Sequence, residues 1–205
     1  MSIENEVKIR IEDLEDFLRR LEKLRPRVLS ERHFEDNFVL DFPDRAIASR
    51  QCLIRVRITD NTSLLTFKGP PLPQGLFKTR EELESTVGSG PVVLAILQQI
   101  GLAVWFRYQK YRREYRIVAG RKPATEIHVA LDETPIGTFA EFEGSGVGIK
   151  QLARRMGLRQ SQFLRDSYAA LYVQFCAARG LPVRHMTFKT PRPSNAGKTK
   201  RKDKS

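Results

Sequence analysis

The sequence predicts an α+β fold in which eight antiparallel strands form a β-barrel tunnel with a charged lumen, flanked by helices. Three observations carry this expectation. Charged residues recur at every second position in several segments, the period at which side chains of an extended strand share a face. Gly, Pro and Asp-Asn breaks divide the chain into eight such segments in hairpin-like succession. A few stretches have apolar residues at helical spacing, suited to covering the outside of a closed sheet.

The first strand, about 3–11, sets Glu4, Glu6, Lys8 and Arg10 on one face and Ile3, Val7, Ile9 and Ile11 on the other. Leu14, Phe17, Leu18, Leu21 and Leu24 then follow helical spacing, with Asp13 as cap and Pro26 as stop. A strand at 33–41 ends in the Pro43-Asp44 turn. In strand 52–59, Arg55 and Arg57 share a face with Leu53, while Ile54, Val56 and Ile58 face the other way. Asp60-Asn61 turns the chain into strand 63–68, which Gly69-Pro70-Pro71 ends. Strand 78–87 carries Lys78, Arg80, Glu82 and Glu84 on one face, and a short helix at 92–100 stops at Gly101. The long strand 105–118 places Lys110, Arg112, Glu114 and Arg116 together. In strand 126–132, Ile127, Val129 and Leu131 oppose His128 and Asp132; in strand 138–143, Glu141 and Glu143 oppose Ala140 and Phe142. Helices at about 147–156 and 161–179 follow, with Gly157 and Gly180 as stops.

The 205 residues suit one domain, expected over 1–180, and a tail over 181–205. From His185 onward there are seven Lys or Arg and one Asp, so the tail holds half of the net charge of +12. Its Pro and Gly content and scarce apolar residues predict disorder. Such a tail aids solubility, or makes weak, salt-sensitive contact with nucleic acid or polyphosphate. No apolar run approaches the roughly 20 residues of a spanning helix. Cys52 and Cys176 form no CxxC pair, the three His have no metal-type spacing, and the N-terminal residues lack a leader pattern. A cytoplasmic location with reduced thiols is expected.

A single alternating charged strand describes a half-exposed sheet with a wet face. Here at least four strands combine charges on one face with apolar residues on the other. If helices 14–24, 92–100 and 161–179 cover the apolar faces, the charged faces line an interior. Glu4, Glu6, Glu82, Glu84, Asp132, Glu141 and Glu143 then face Lys8, Arg10, Arg55, Arg57, Lys68, Arg80, Lys110 and Arg112. Buried charges must pair or hold ions. Carboxylates two residues apart suit hard divalent cations, and Arg and Lys suit phosphate oxygens. Together they describe a site for a polyanionic phosphate chain with Mg²⁺ or Mn²⁺.

These residues resemble a known family. Glu4-x-Glu6-x-Lys8 resembles the ExExK signature of CYTH proteins, the triphosphate tunnel metalloenzymes. The rest follows in order: Arg55-Val56-Arg57, Lys68-Gly69-Pro70, Arg80-x-Glu82-x-Glu84, Lys110-x-Arg112, Leu131-Asp132-Glu133, Ile136-Gly137-x-Phe139-x-Glu141-x-Glu143-Gly144 and Ser167-Tyr168-x-x-Leu171. The resemblance covers about residues 3–172. It implies an eight-stranded antiparallel tunnel binding triphosphates with a divalent metal, in a family that includes class IV adenylyl cyclases, thiamine triphosphatases and tripolyphosphatases. By carry-over, Glu4, Glu6, Glu141 and Glu143 would bind metal with Asp132 close by. Lys8, Arg55, Arg57, Lys68, Arg80, Lys110 and Arg112 would hold phosphates, the first four as the catalytic set. Glu82 and Glu84 would bind metal or pair with cations, and Tyr168 reads as helix core. Phe38 departs from the family, standing where many relatives carry tyrosine.

The overall spacing looks most like the cyclase branch, which converts ATP to cyclic AMP and pyrophosphate. Hydrolysis of tripolyphosphate, thiamine triphosphate or a nucleoside triphosphate is the alternative. A reading of another class is a non-catalytic binder of polyphosphate or RNA, using Lys198–Lys204. Pairing of barrel surfaces into a homodimer is left open.

Overall fold

A computed structural model describes residues 2–72, 75–119 and 125–188. In chain order the elements are β1 (Ser2–Ile11), α1 (Leu14–Glu22), β2 (Arg27–Asp41), α2 (Ala46–Ser49), β3 (Leu53–Ile58), β4 (Ser63–Lys68) and β5 (Lys78–Val87). They continue with α3 (Gly90–Gln99), β6 (Ala103–Ala119), β7 (Thr125–Thr134), β8 (Gly137–Gly144), α4 (Gly146–Arg155) and α5 (Tyr168–Ala177). The strands close into an antiparallel barrel in the spatial order β1-β5-β4-β3-β2-β6-β7-β8. The α+β expectation and its eight strands are met.

Each sheet face does what its alternation dictates. The outward residues Val7, Ile9, Ile127, Val129, Leu131, Ala140 and Phe142 pack with Phe17 and Leu21 of α1 and Ile149, Leu152 and Ala153 of α4. On the far wall Leu40 and Val56 pack with Ile47 of α2 and with Val93, Leu94 and Leu97 of α3. Burying such side chains contributes about 1.5–3 kcal/mol each and holds the strands in a register where a one-residue slip would invert every face. Helix starts are capped by side-chain oxygens, at Asp13 as expected and at serines that were not read from sequence. Asp13 accepts the Asp16 N–H at 2.9 Å, and Ser145 and Ser167 accept from Gly148 and Ala170. The β7–β8 turn needs Gly137, whose φ of +126° suits glycine and whose missing Cβ leaves room for Arg10.

Four expectations are corrected. The strand read at 33–41 begins at Arg27, because residues 27–31 extend the β2–β6 ladder toward Tyr115 and Arg116. The helix α2 was not read from sequence; the Asp41 carboxylate accepts the N–H groups of Ile47 and Ala48 and organises it. The helix read at 161–179 is broken. Gln160–Gln162 forms a 3₁₀ turn, Leu164 exchanges backbone hydrogen bonds with Lys8 at 3.0 and 2.8 Å, and Ser167 restarts the helix as its cap. Nor does this helix cover the outer wall: Tyr168 and Leu171 of α5 pack on the inward-facing Val39, Phe106, Tyr108 and Phe139.

The tail expected from residue 181 begins as packed chain. Met186 is buried and exchanges backbone hydrogen bonds with Arg107 and Gln109, and the Phe188 ring lies 5.3 Å from that of Tyr111. The disorder expected beyond this point, and the Lys198–Lys204 cluster, lie outside the described residues. Phe38 packs outward beside Leu40 and Val56, with Arg107 over its ring at 5.1 Å, so the departure from tyrosine alters the outer packing.

Candidate active site

One cavity of about 480 Å³ runs into the barrel. Among the described residues it is lined by nine Lys or Arg and six Glu side chains, contributed by β1, the residue before α2, β3 through β6 and β8. Antiparallel register explains how. Lys8 stands opposite Glu141, Lys68 opposite Glu82, Lys110 opposite Glu35, and Arg112 opposite Asp132. Directly opposed side chains have Cβ atoms about 4.5–5.5 Å apart, so each cation meets a carboxylate across the ladder.

Lys8 is the hub of the first half. Its Nζ lies 2.8 Å from Glu6 Oε1 and 2.7 Å from Glu141 Oε1. Burial pushes the Glu6 carboxyl up, but Lys8 together with Lys78 and Lys68 outweighs it and brings the pKa down to about 2. Burial likewise opposes ionisation of Glu141, and Lys8 with Arg112 holds it well below the usual range. Burial also works against the Lys8 charge, yet the two carboxylates raise its pKa. Arg55 Nη1 donates to the Tyr108 hydroxyl at 3.1 Å and Nη2 to Thr66 at 3.3 Å. Arg57 donates to Asn37 and lies 3.4 Å from Glu35. Lys68 pairs with Glu82, and Arg80 lines the same wall.

Asp132 sits differently from its expected place among metal ligands. It is fully buried and does not line the cavity. It accepts Lys110 Nζ at 2.9 Å, Arg112 Nε and Nη2 at 2.7 Å each, and the Tyr168 hydroxyl at 2.7 Å. Two carboxylate oxygens offer about four lone-pair directions, and four donors occupy them. Asp132 is therefore a brace behind Lys110 and Arg112. Arg112 reaches on to Glu141. Glu143 pairs with His128 at 3.1 Å. Arg10, expected among the lumen cations, does not line the cavity; it donates to the Ile136 carbonyl at 3.1 Å. Glu4 stands in β1 opposite Arg80, and its side chain lies outside the described residues.

Several site residues escaped the sequence reading. Glu35 is buried 3.4 Å from both Lys110 and Arg57. Asn37 is fully buried, and neither its Nδ2 nor Arg55 Nε has a hydrogen-bond partner among the described residues. Lys78, Tyr108, Glu114 and His128 also line the cavity. Tyr168, read as helix core, lines it too, beneath Lys8 Nζ at 4.8 Å from its ring. Parity puts Lys78 on the face of Arg80 without marking it as a site residue, and the same parity would have found Tyr108, two residues from Lys110.

No three His, Cys, Asp or Glu side chains converge tightly enough to hold a metal by themselves among the described residues. The donor chemistry nevertheless fits a hard cation. Glu6 and Glu141 share the Lys8 ammonium, with Arg112 on the far oxygen of Glu141, and all neighbouring acids offer oxygen. Mg²⁺ is commonly held by one or two carboxylates completed by substrate phosphates. Glu6 and Glu141, with Glu143 beside them, are the residues that would hold it.

The CYTH domain model matches residues 2–155. The chain belongs to the CYTH domain family. The triphosphate-tunnel enzyme expected from the motifs is thus met in family and in fold. A Methanocaldococcus jannaschii protein, named provisionally as an adenylate cyclase, is 23% identical over 180 residues, covering 82% of this chain and 98% of its own. The CYTH barrel is also similar to the structure of PH1819 from Pyrococcus horikoshii OT3, with TM-score 0.68, 20% identity and coverage of 84% and 99%. A Hippeastrum protein, titled provisionally as an adenylyl cyclase with dominant triphosphatase activity, has TM-score 0.57, 14% identity and coverage of 89% and 98%. Among the described residues of this CYTH chain, no helix is long and apolar enough to cross a membrane.

Proposed function

We propose that the tunnel grips the phosphate chain of a triphosphate together with Mg²⁺ or Mn²⁺ and cleaves it, with cyclisation of ATP to cyclic AMP and pyrophosphate as the leading reaction. The observation that carries the reading is the nine Lys and Arg side chains converging on one cavity against six carboxylates. A polyanion can take over these cations from their carboxylates, and Arg55 Nε, buried with no hydrogen-bond partner among the described residues, is a donor available to a phosphate oxygen. Lys8, Arg55, Arg57 and Lys68 would hold the reacting phosphates, and Arg80, Lys110 and Arg112 the rest of the chain. Fixed donors of this kind stabilise charge that develops on the transferring group.

When bound, the divalent ion would neutralise phosphate charge and help activate the nucleophile. Lys8, already between Glu6 and Glu141, would move its ammonium onto a phosphate oxygen. In cyclisation the ribose 3′-hydroxyl gives up its proton to water, its oxygen bonds to the α-phosphorus, the bond from that phosphorus to the bridging oxygen breaks, and pyrophosphate leaves. The name of the M. jannaschii relative supports this reading. Hydrolysis, in which water displaces a phosphate, is supported by the dominant triphosphatase activity of the Hippeastrum protein. A cytoplasmic location agrees with two free cysteines.

The test is product analysis after incubation with ATP, tripolyphosphate or thiamine triphosphate and Mg²⁺ or Mn²⁺. Cyclic AMP with pyrophosphate is the expected outcome, and orthophosphate without cyclic AMP selects hydrolysis. A chain inert toward all three, or one whose Glu4→Gln/Glu6→Gln variant keeps salt-sensitive polyphosphate binding that tail deletion abolishes, would be the non-catalytic binder.

A further inference from the structure

The end of the cavity bounded by α2 and α5 has a different chemistry from its charged middle. One lumen-facing step outward from Arg55, the β3 wall becomes Leu53. The same step from Tyr108 on β6 reaches Phe106. Val39 of β2 and Ala169 and Val173 of α5 complete an apolar rim. A step of two residues along a strand is roughly 6.5–7 Å. The rim therefore begins a short reach from the cations that would hold the phosphates, and Lys68 stands directly opposite Leu53.

The β6 strand is locally distorted there. Val39 pairs with Phe106 and Leu40 with Val104, so Trp105 is an extra residue with no partner on β2. Regular alternation would send Trp105 outward, since Phe106, Tyr108, Lys110 and Arg112 face the lumen. A bulge re-aims such a side chain. Trp105 and its neighbour Phe106 both line the cavity. The Trp105 ring is 50% exposed, and the Arg45 guanidinium lies over it at 3.7 Å. Beyond it a second hollow of about 310 Å³ is lined by Trp105, Phe106, Ala169, Val173 and residues Val183–His185. The last of these is anchored by the hydrogen bond from Arg107 N–H to His185 at 3.1 Å.

We propose that Trp105, re-aimed by this bulge, is a specificity-determining residue that stacks on the planar base of a nucleoside triphosphate and so sets the preference for that substrate over tripolyphosphate. The proposal rests on the tunnel binding triphosphates. An exposed indole beside an apolar wall offers a stacking face that a bare phosphate chain cannot use. A positively charged ring would meet Arg45 and Arg184 at the same mouth, so the base that fits is neutral.

Trp105 is the single tryptophan of the chain, which gives a direct readout. With EDTA present to stop turnover, the full chain is titrated with ATP and with tripolyphosphate, following Trp105 fluorescence and calorimetric affinity. ATP should change the emission and tripolyphosphate should not, although both bind. Trp105→Ala should lower the ratio of ATP to tripolyphosphate affinity by about tenfold, the scale of one base–aromatic stack. Trp105→Tyr should restore most of it, and Val173→Trp, which fills the crevice from α5, should lower it again. An identical emission response to both ligands, or an affinity ratio unmoved by Trp105→Ala and Val173→Trp, overturns the base site while leaving the tunnel reading intact. Failure of either ligand to bind, with EDTA or with Mg²⁺, overturns both.

Discussion

Replacing Asp132 with Asn separates two roles that the same residue could hold. If Asp132 braces Lys110 and Arg112, the substitution removes a buried negative charge and turns an amide N–H₂ toward donors that have lost their acceptor. Breaking a buried ion pair by removing one partner costs about 3–5 kcal/mol. Both cations keep a second carboxylate here: Glu35 lies 3.4 Å from Lys110, and Arg112 also pairs with Glu141. The loss should fall at the lower end, about 3 kcal/mol. For a chain of this size that lowers Tm by about 6–12 °C. Urea denaturation gives the free energy and a thermal melt the Tm. Excess tripolyphosphate should recover part of the loss, because a bound polyanion compensates the stranded cations and stabilises by mass action. A variant melting within 1 °C of the wild type but with weakened Mn²⁺ binding would refute the reasoning and return Asp132 to the metal ligands.

Three further outcomes follow from the same geometry. Glu141→Gln should lower kcat for triphosphate cleavage by about 10²–10³-fold in saturating Mg²⁺, since it would lose both a metal ligand and the partner of Lys8; steady-state kinetics with a metal titration checks this. Lys78 lines the cavity without an ion pair or hydrogen bond to any described residue, and burial with the neighbouring Arg80 brings its pKa down to about 8. Lys78→Met should therefore raise the urea midpoint at pH 7 while weakening tripolyphosphate binding about tenfold and flattening its salt dependence. His128, hydrogen-bonded to Glu114 and then to Glu143, has its pKa raised to about 9. Its folded value exceeds the ordinary 6.5, so its stabilisation is fully present below pH 6.5 and is lost as pH rises through 9. Urea midpoints of wild type and His128→Gln should converge above that pH, and parallel curves would count against the pairing.

Strand parity made most of the site legible. It needs only the two-residue period, and it correctly turned Glu6, Lys8, Arg55, Arg57, Lys68, Arg80, Lys110, Arg112, Glu141 and Glu143 toward one cavity. It failed where both faces of a strand are polar. In β2, Glu35 and Asn37 face inward, but Asp36 on the outer side pairs with Arg107 and blurs the rhythm. The helix read at 161–179 failed for a related reason. Phe163 and Leu164 continue the helical spacing of Tyr168 and Leu171, yet Leu164 spends its backbone hydrogen bonds on Lys8 of β1. That partner is remote in sequence, and no local pattern shows it.

The deeper limit is that parity reports which face a charge occupies and not which charges neutralise one another. Asp132 and Glu141 share the inward parity of their neighbouring strands, and from sequence they are equivalent carboxylates. Register separates them. Asp132 lies directly opposite Arg112, and Arg112 with Lys110 and Tyr168 consumes its lone pairs. Glu141 lies opposite Lys8, whose single ammonium its Oε1 shares with Glu6 while its Oε2 meets Arg112. The first arrangement is closed, because four donors already occupy the Asp132 carboxylate and leave it no lone pair for a cation. The second is exchangeable, because one bound cation can take over from Lys8 and release it to an arriving phosphate. A polyanion-binding tunnel needs both kinds of carboxylate: fixed ones that keep cations aimed into an empty cavity, and exchangeable ones whose cation can be handed over when the ligand arrives.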